Sequence, residues 1–256
     1  MTLQWRVEVI GNTPSTQDIV QERALIGDPQ GYVLQALQQE NARGRHGNKW
    51  NAPLGNLYMS ILLRPDCALN KAGELSFVVA VALSKALDPY IDPKKHKKTL
   101  KWPNDVYIDG LKLSGILLEA NLDNKGGLES LVLGIGVNIF AAPELAISLQ
   151  NVAQKPVYIN VFRDEFLAQL AAQYALWEKS GFVPIRDAWL HQAHGLDAPI
   201  TARLPNRSIK GSFRGIDEHG ALELEDDTGE IHIIRAGDVH FGEADEANKA
   251  KDETKK

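Results

Sequence analysis

Three segments of this chain combine residue types and spacings that can do chemistry. In the first, Arg43, Arg45, His46 and Lys49 fall within seven residues, interleaved with Gly44 and Gly47. Arginine presents a planar fork of donors that matches phosphate or carboxylate, and glycine lets the backbone wrap an anion closely. A basic cluster of this kind is also what a solvated surface loop looks like. Trp50, which can stack on a base, and Gln39 and Asn48, which add neutral hydrogen-bonding groups, favour a binding role. The second segment is Lys101-Trp102-Pro103-Asn104-Asp105, with Lys112 seven residues further on. Pro103 lacks an amide hydrogen and keeps Trp102 out of helix, so the segment is a rigid bend that fixes Asn104 and Asp105. Asp105 and Lys112 then stand on opposite arms of a hairpin and can face one cleft; the plainer reading is a surface ion pair worth under about 1 kcal/mol. The third segment, Gly134-Ile135-Gly136-Val137-Asn138, has no third glycine, no capped helix after it and no acid at the spacing a dinucleotide site needs. Glycines here mark a place where a ligand or a neighbouring backbone comes close. His191 and His194 have helical spacing but no acidic or cysteine partner nearby, so no metal site is expected from protein spacing.

The elements that position these segments are legible from patterning. Met1 to Ile10 alternates as a strand, and Asn12 to Asp18 is rich in capping residues, with Ser15 or Thr16 as N-cap of a helix running to Leu25. Val33 to Leu37 reads as a strand, although the surrounding residues also suit a helix; Leu57 to Leu63 and Leu131 to Ile139 read as buried strands. Leu75 to Leu87 is helical, with an Asp88-Pro89 stop. Asp109-Gly110 centres a hairpin between Val106 to Ile108 and Lys112 to Glu119. Phe162, Phe166, Leu167, Leu170, Tyr174 and Trp177 share one helical face, and Val183 to Gln192 forms a second helix. From Ala198 the texture changes to short β runs, Ile200 to Leu204, Ile209 to Ile216, Ala221 to Leu224 and Ile231 to Arg235, which suits a small SH3-like barrel.

Composition sets the outer limits. A chain of 256 residues with 44% hydrophobic and 24% charged residues has room for one large domain or two unequal ones, and can build a sizeable core. The net charge of -5 supplies no global attraction to nucleic acid or anionic membrane, so any anion site is local. A single cysteine, Cys67, excludes an intrachain disulfide. No signal peptide or membrane span is read, and the cytoplasm is the expected location. The expected organisation is a large domain over 1–195 that carries the three segments, the SH3-like domain over 196–242 and a charged, disordered tail over 243–256.

Together, Ala42 to Pro65, Lys101 to Glu119 and Leu131 to Asn138 resemble the biotin-protein ligase family, also called biotin-[acetyl-CoA-carboxylase] ligase, in wording, order and spacing. The resemblance implies an α+β fold, a central mixed β-sheet flanked by helices of the class II aminoacyl-tRNA synthetase and biotin ligase kind, with the SH3-like barrel behind it. It implies a two-step reaction: biotin and ATP give biotinyl-5'-AMP and pyrophosphate, and a lysine of a biotin carboxyl carrier protein, of acetyl-CoA carboxylase or a related carboxylase, then displaces AMP. Mg²⁺ is expected with the triphosphate. By the same resemblance Ser15, Thr16, Gln17 and Gln39 hold biotin. Arg43, Gly44 and Arg45 form the loop over biotin and the acyl phosphate, and Arg45 stabilises charge. Lys112, with Gly115 beside it, reaches the biotin carboxylate and the α-phosphate. Trp50, Lys101, Asn104 and Asn138 neighbour the nucleotide, and Asp105 receives the incoming lysine. Arg43, Arg45, Lys101 and Lys112 are thus expected to make a positive cleft for one nucleotide.

Three positions depart from the family pattern: Ala42 stands where glycine is usual, His46 where arginine is usual, and Gln17 at the third place of a Ser-Thr-Asn type motif. Ala42 is expected to stiffen the loop, and a histidine at 46 adds a group of the kind that titrates near neutrality. Lipoate- or octanoate-protein ligases and transferases share the fold and are the alternative within enzymes. An RNA-binding module using Arg43 to Trp50 and Lys94 to Lys98 is the alternative outside them, against which the net charge counts. No DNA partner is expected, since the Ser-Thr-Gln motif begins at residue 15, and no membrane partner, since no span is read; a homodimer is compatible with the family.

Overall fold

The computed structural model describes residues 3–204 and 207–241, so the tail expected over 243–256 lies outside the described residues. The chain runs β1 (Arg6–Thr13), α1 (Thr16–Leu25), β2 (Tyr32–Gln39), β3 (Leu57–Leu63), α2 (Glu74–Leu87), β4 (Lys98–Lys101), β5 (Asp105–Ile108), β6 (Leu111–Leu122) and β7 (Leu128–Val137). Three helices follow, α3 (Leu149–Val152), α4 (Ile159–Ser180) and α5 (Val183–Leu190). Then come β8 (Pro199–Arg203), β9 (Ser208–Ile216), β10 (Leu222–Glu225), β11 (Ile231–Ile234) and β12 (Asp238–His240).

The first seven strands form one mixed sheet in the order β1-β2-β3-β7-β6-β5-β4, parallel only between β1 and β2. Every residue of β3 is buried, because this strand lies inside the sheet and both of its faces are covered. One face carries α2, α4 and α5, and all six residues of the α4 stripe read from the sequence are buried there. The other face carries α1, where Val20 and Ala24 pack on Leu34, Leu62 and Val132. β1 is the outer strand and remains mostly exposed. The Asp-Gly turn forms as read, with φ of 52° at Asp109 and 78° at Gly110, the left-handed pair that a two-residue hairpin requires.

Two strands escaped the sequence reading. Lys98–Lys101 lies in a stretch too polar to stand out, yet pairs with β5 at the sheet edge, where lysines are an ordinary guard against further pairing. Asp238–His240 is too short to show a period and pairs with β8. Its addition makes the C-terminal sheet five-stranded and antiparallel, in the order β11-β10-β9-β8-β12. Among the described residues β11 and β12 do not pair with each other, so this SH3-like sheet stays open.

The two sheets meet at named contacts. Trp102 Nε1 donates to Gly220 O at 2.9 Å, and Arg186 Nε donates to Ile216 O at 2.7 Å. Gly220 has φ of +81°, and a Cβ there would lie 2.5 Å from the Phe77 ring. The seam therefore depends on glycine for both backbone conformation and space. No helix among the described residues is long and apolar enough to cross a membrane.

Candidate active site

A cavity of about 200 Å³ opens where the N-terminus of α1 meets β3, β6 and β7. Ser15, in extended conformation, caps α1 by accepting from Asp18 N at 3.4 Å. That places Thr16 and Gln17 in the first turn with their side chains on the cavity floor. Gln39 Oε1 accepts from Thr16 N at 2.7 Å and from Thr16 Oγ1 at 3.0 Å. Thr16 Oγ1 also lies 2.9 Å from Ser60 Oγ, which donates to Gln17 Oε1 at 3.0 Å. Each hydroxyl has a single proton, so two protons serve three contacts in this chain of groups. With both protons given to Gln39 and Gln17, the hydroxyl oxygens of Thr16 and Ser60 keep lone pairs that can accept an N–H from a small polar ligand.

The basic loop closes on itself. Gly44 N donates to Asn48 O at 2.7 Å, Asn48 N to Arg45 O at 3.1 Å and Trp50 N to Ala42 O at 2.9 Å. Its left-handed residues are His46 (φ 56°) and Gly47 (φ 73°), whereas Gly44 has an ordinary φ of -102°. Ala42 is buried with Ala52, Tyr58 and Trp50 and anchors the base of the loop. Burial opposes the charge of Arg43, but the hydrogen bonds and charges of Asp18 and Glu119 outweigh it and raise its pKa. Arg45 is more deeply placed; burial lowers its pKa against the opposing charges of Asp238 and Asp105, and a guanidinium remains charged regardless. Arg45 donates to Gly237 O from both terminal nitrogens, at 3.5 and 3.4 Å, and lies 4.0 Å from Asp238.

At the opposite wall Lys112 Nζ is 2.8 Å from Asp105 Oδ1. The Asp-Gly hairpin creates this pair by setting the two residues on adjacent strands, with a bulge between Val106 and Tyr107 adjusting the register. Both side chains line the cavity, so the surface ion-pair reading does not describe them. Asn104 fixes the bend from beneath, its Nδ2 donating to Ile116 O and its backbone carbonyl accepting from Ile116 N at 3.1 Å. Tyr58, another lining residue, is no base, since burial pushes its phenol up to about 12.

The glycines of the third segment admit side chains. Trp50 lies across Gly136 and Gly115, whose added Cβ atoms would fall 2.7 Å and 3.0 Å from the indole, and Gln17 lies against Gly134 at 2.8 Å. The Trp50 indole N–H is buried and meets no acceptor among the described residues. Gly136→Ala forces a rigid ring out of its seat, at a cost of about 1–3 kcal/mol. A lower urea midpoint and red-shifted tryptophan emission are expected; an unchanged spectrum and midpoint would show that Trp50 is not held by this glycine.

Ser15, Thr16, Gln17, Gln39, Arg43, Gly44, Arg45, Trp50, Asn104, Asp105, Lys112 and Gly115 all line the one cavity. Lys101 and Asn138 do not. Lys101 Nζ lies 3.3 Å from Tyr107 Oη, and the Asn138 side chain is buried behind Lys112, donating to its carbonyl at 3.5 Å. His194 Nδ1 lies 3.0 Å from Thr99 Oγ1, and its ring packs edge-on against Phe241, in keeping with a structural role.

Residues 9–138 match the biotin/lipoate A/B protein ligase family, and residues 195–242 match the biotin protein ligase C terminal domain. A biotin--[acetyl-CoA-carboxylase] ligase of Paracoccus denitrificans is 40% identical over 217 residues, covering 81% of this chain and 89% of that one. The chain belongs to the biotin protein ligase family. A bifunctional ligase/repressor of Bacillus subtilis is 31% identical, over 89% of this ligase and 71% of the relative. A solved biotin protein ligase from Aquifex aeolicus, in complex with biotin and ATP, superposes with a TM-score of 0.78 at 25% identity, covering 92% of this ligase and 99% of that chain.

Four polar residues of this ligase's cavity region were missed by sequence reasoning: Asp18, Ser60, Glu119 and Asp238. They give the loop and the floor their partners. Arg43, Arg45 and Lys112 each face a carboxylate, so the cleft expected to be positive is closer to charge-balanced.

Proposed function

We propose the following division of labour for a chain whose activity is ATP-dependent attachment of biotin to a carboxylase. The observation that carries it is convergence: the polar floor, the basic loop and the Asp105–Lys112 pair, remote in sequence, line one cavity. Thr16, Gln17 and Gln39, with Ser15 and Ser60, receive the ureido end of biotin, and Arg45 and Lys112 receive its carboxylate and the α-phosphate of ATP. The Trp50 indole N–H is a buried donor available to a nucleotide oxygen. Asn104 holds the bend at the nucleotide end, while Lys101 and Asn138 support the wall from behind. Residues 1–195 thus carry both half-reactions, and 196–242 contribute Asp238 beside Arg45.

Two anions must approach for a carboxylate oxygen to bond to the α-phosphorus as the bond to pyrophosphate breaks. Cations placed between them remove that repulsion, most effectively where water is excluded. Lys112 can supply this only by turning from Asp105 toward the incoming anions. That movement frees the Asp105 carboxylate for the second half-reaction. There the amine nitrogen bonds to the acyl carbon, the bond to the AMP oxygen breaks, and a proton must leave the nitrogen.

A free lysine amine is neutral in only about one molecule per few thousand at pH 7. Complete transfer of its proton to an ordinary carboxylate before attack is uphill by about 9 kcal/mol. Asp105 therefore orients the amine and takes the proton late, once bonding to carbon has acidified the nitrogen.

A second cavity, of about 590 Å³, shares Arg45, Asn104 and Ile116 with the first and runs along the seam between the sheets; it offers the carrier's lysine an approach. Mg²⁺ fits as a companion of ATP, neutralising phosphate charge. Asp238 faces Arg45 and Asp105 is reserved for the incoming amine, so phosphate oxygens and water would hold the ion. The cytoplasm, where ATP is available, is a compartment that suits this reading. The test is pyrophosphate release from ATP with biotin, lipoate and octanoate in turn. Release with biotin alone is expected, and release with lipoate but not biotin would overturn the assignment.

A further inference from the structure

One carboxylate ties the loop to the floor. Glu119, on β6 beyond the catalytic hairpin, accepts from both Nε and Nη2 of Arg43 at its Oε1, each at 3.3 Å. Its Oε2 accepts from Arg43 Nη2 at 3.1 Å, from Gln17 Nε2 at 3.0 Å and from Gln21 Nε2 at 3.3 Å. Asp18 holds the other arm of the same guanidinium, Oδ1 lying 2.6 Å from Arg43 Nη1. Gln17 continues the connection inward to Val132 O at 3.1 Å and to Ser60. The carboxylate therefore holds, with charge-assisted bonds, both the first arginine of the loop and an amide of the floor.

We propose that Glu119 is a positioning residue for the ligase reaction, holding the Arg43 end of the loop in register with Gln17. The proposal rests on reading the cavity as the biotinyl-adenylate site. An arginine shared by two carboxylates has little charge left for a substrate anion, so Arg43 serves as a tether and Arg45 as the anion contact. The Arg43–Glu119 pair is partly exposed, with side chains 31% and 29% accessible, so it adds little to global stability. Its influence falls on the closure of the loop over an intermediate that must be kept from water. Gln17, longer by one methylene than the amide usual at this motif position, has the reach to meet Glu119 while still facing Ser60.

The experiment is a double-mutant cycle on the full chain. The rate at which preformed biotinyl-5'-AMP is lost is read by chase for the wild type, Glu119→Gln, Arg43→Met and the double variant, with thermal midpoints measured alongside. Each single variant is expected to lose adenylate about tenfold faster, the scale of one charge-assisted hydrogen bond, and the double variant no more than about twofold faster than the worse single. Midpoints are expected to stay close to wild type. If Glu119→Gln does not fold, Glu119→Asp, which keeps the charge and withdraws it by one methylene, takes its place and is expected to show an intermediate rate. Unchanged adenylate loss, or single effects that multiply in the double variant, would overturn the proposal. A wild type that releases no pyrophosphate with biotin and ATP would instead overturn the reading of the cavity.

Discussion

Lys112→Met is expected to lower pyrophosphate release with biotin and ATP by about 10²–10³-fold, the scale of removing one preorganised donor from a transition state. Methionine keeps the length and much of the volume of lysine but not its charge. Lys112 Nζ stands between the Asp105 carboxylate and the Trp50 ring, 5.4 Å above the ring centroid, inside the cavity wall. The loss should therefore appear in kcat and not only in KM, since the charge is needed most as the two anions make their bond. When biotinyl-5'-AMP is supplied ready-made, transfer to the carrier should fall much less. An equal loss in both assays would mean that Lys112 only holds the wall together.

Asp105→Asn should give the reciprocal pattern. The amide keeps the size of the side chain and a hydrogen-bonding oxygen for Lys112, but cannot take a proton from an incoming ammonium. Transfer from bound adenylate is expected to fall by about 10²-fold or more, within the range general-base groups contribute, while pyrophosphate release falls only a few-fold. Some loss in the first half-reaction follows from the geometry, because the 2.8 Å contact with Asp105 holds Lys112. The ratio of the two losses, compared between Lys112→Met and Asp105→Asn, is the informative quantity. If both variants impair the same half-reaction, the handover of Lys112 from Asp105 to substrate is wrong.

Much of this site was legible because its chemistry sits in short, rigid words. The Asp-Gly turn sets Asp105 and Lys112 on opposite arms of one hairpin, near enough to face one cleft, although the ladder pairs Lys112 with Tyr107 and Asp105 with Gly115. Ser15 likewise announces a helix start, and a helix start delivers Thr16 and Gln17 to one place.

The partners of these residues were not legible. Glu119 meets Gln17 across 102 positions and Arg43 across 76, and nothing local marks it apart from other acids on a partly exposed strand. Asp238 comes to Arg45 through a three-residue strand paired with β8 of the C-terminal sheet, 193 positions further along the chain.

Proximity in sequence did not carry every motif residue to the cavity lining. Lys101 and Asn138 belong to the same motifs as cavity residues, yet Lys101 lies against Tyr107 and Asn138 is turned behind Lys112. The two glycines of Gly-x-Gly did signal close approach, and the groups that come close are Gln17 and Trp50.

One cavity is expected both to activate biotin and to deliver it to a lysine of a carrier. This is tested most directly by intact-mass and peptide analysis of a biotin carboxyl carrier domain incubated with the protein, ATP, Mg²⁺ and biotin. One biotinyl group on one lysine is expected, dependent on ATP and formed about 10²–10³-fold more slowly with Lys112→Met. An unmodified carrier, or one modified by lipoate in preference to biotin, would contradict it.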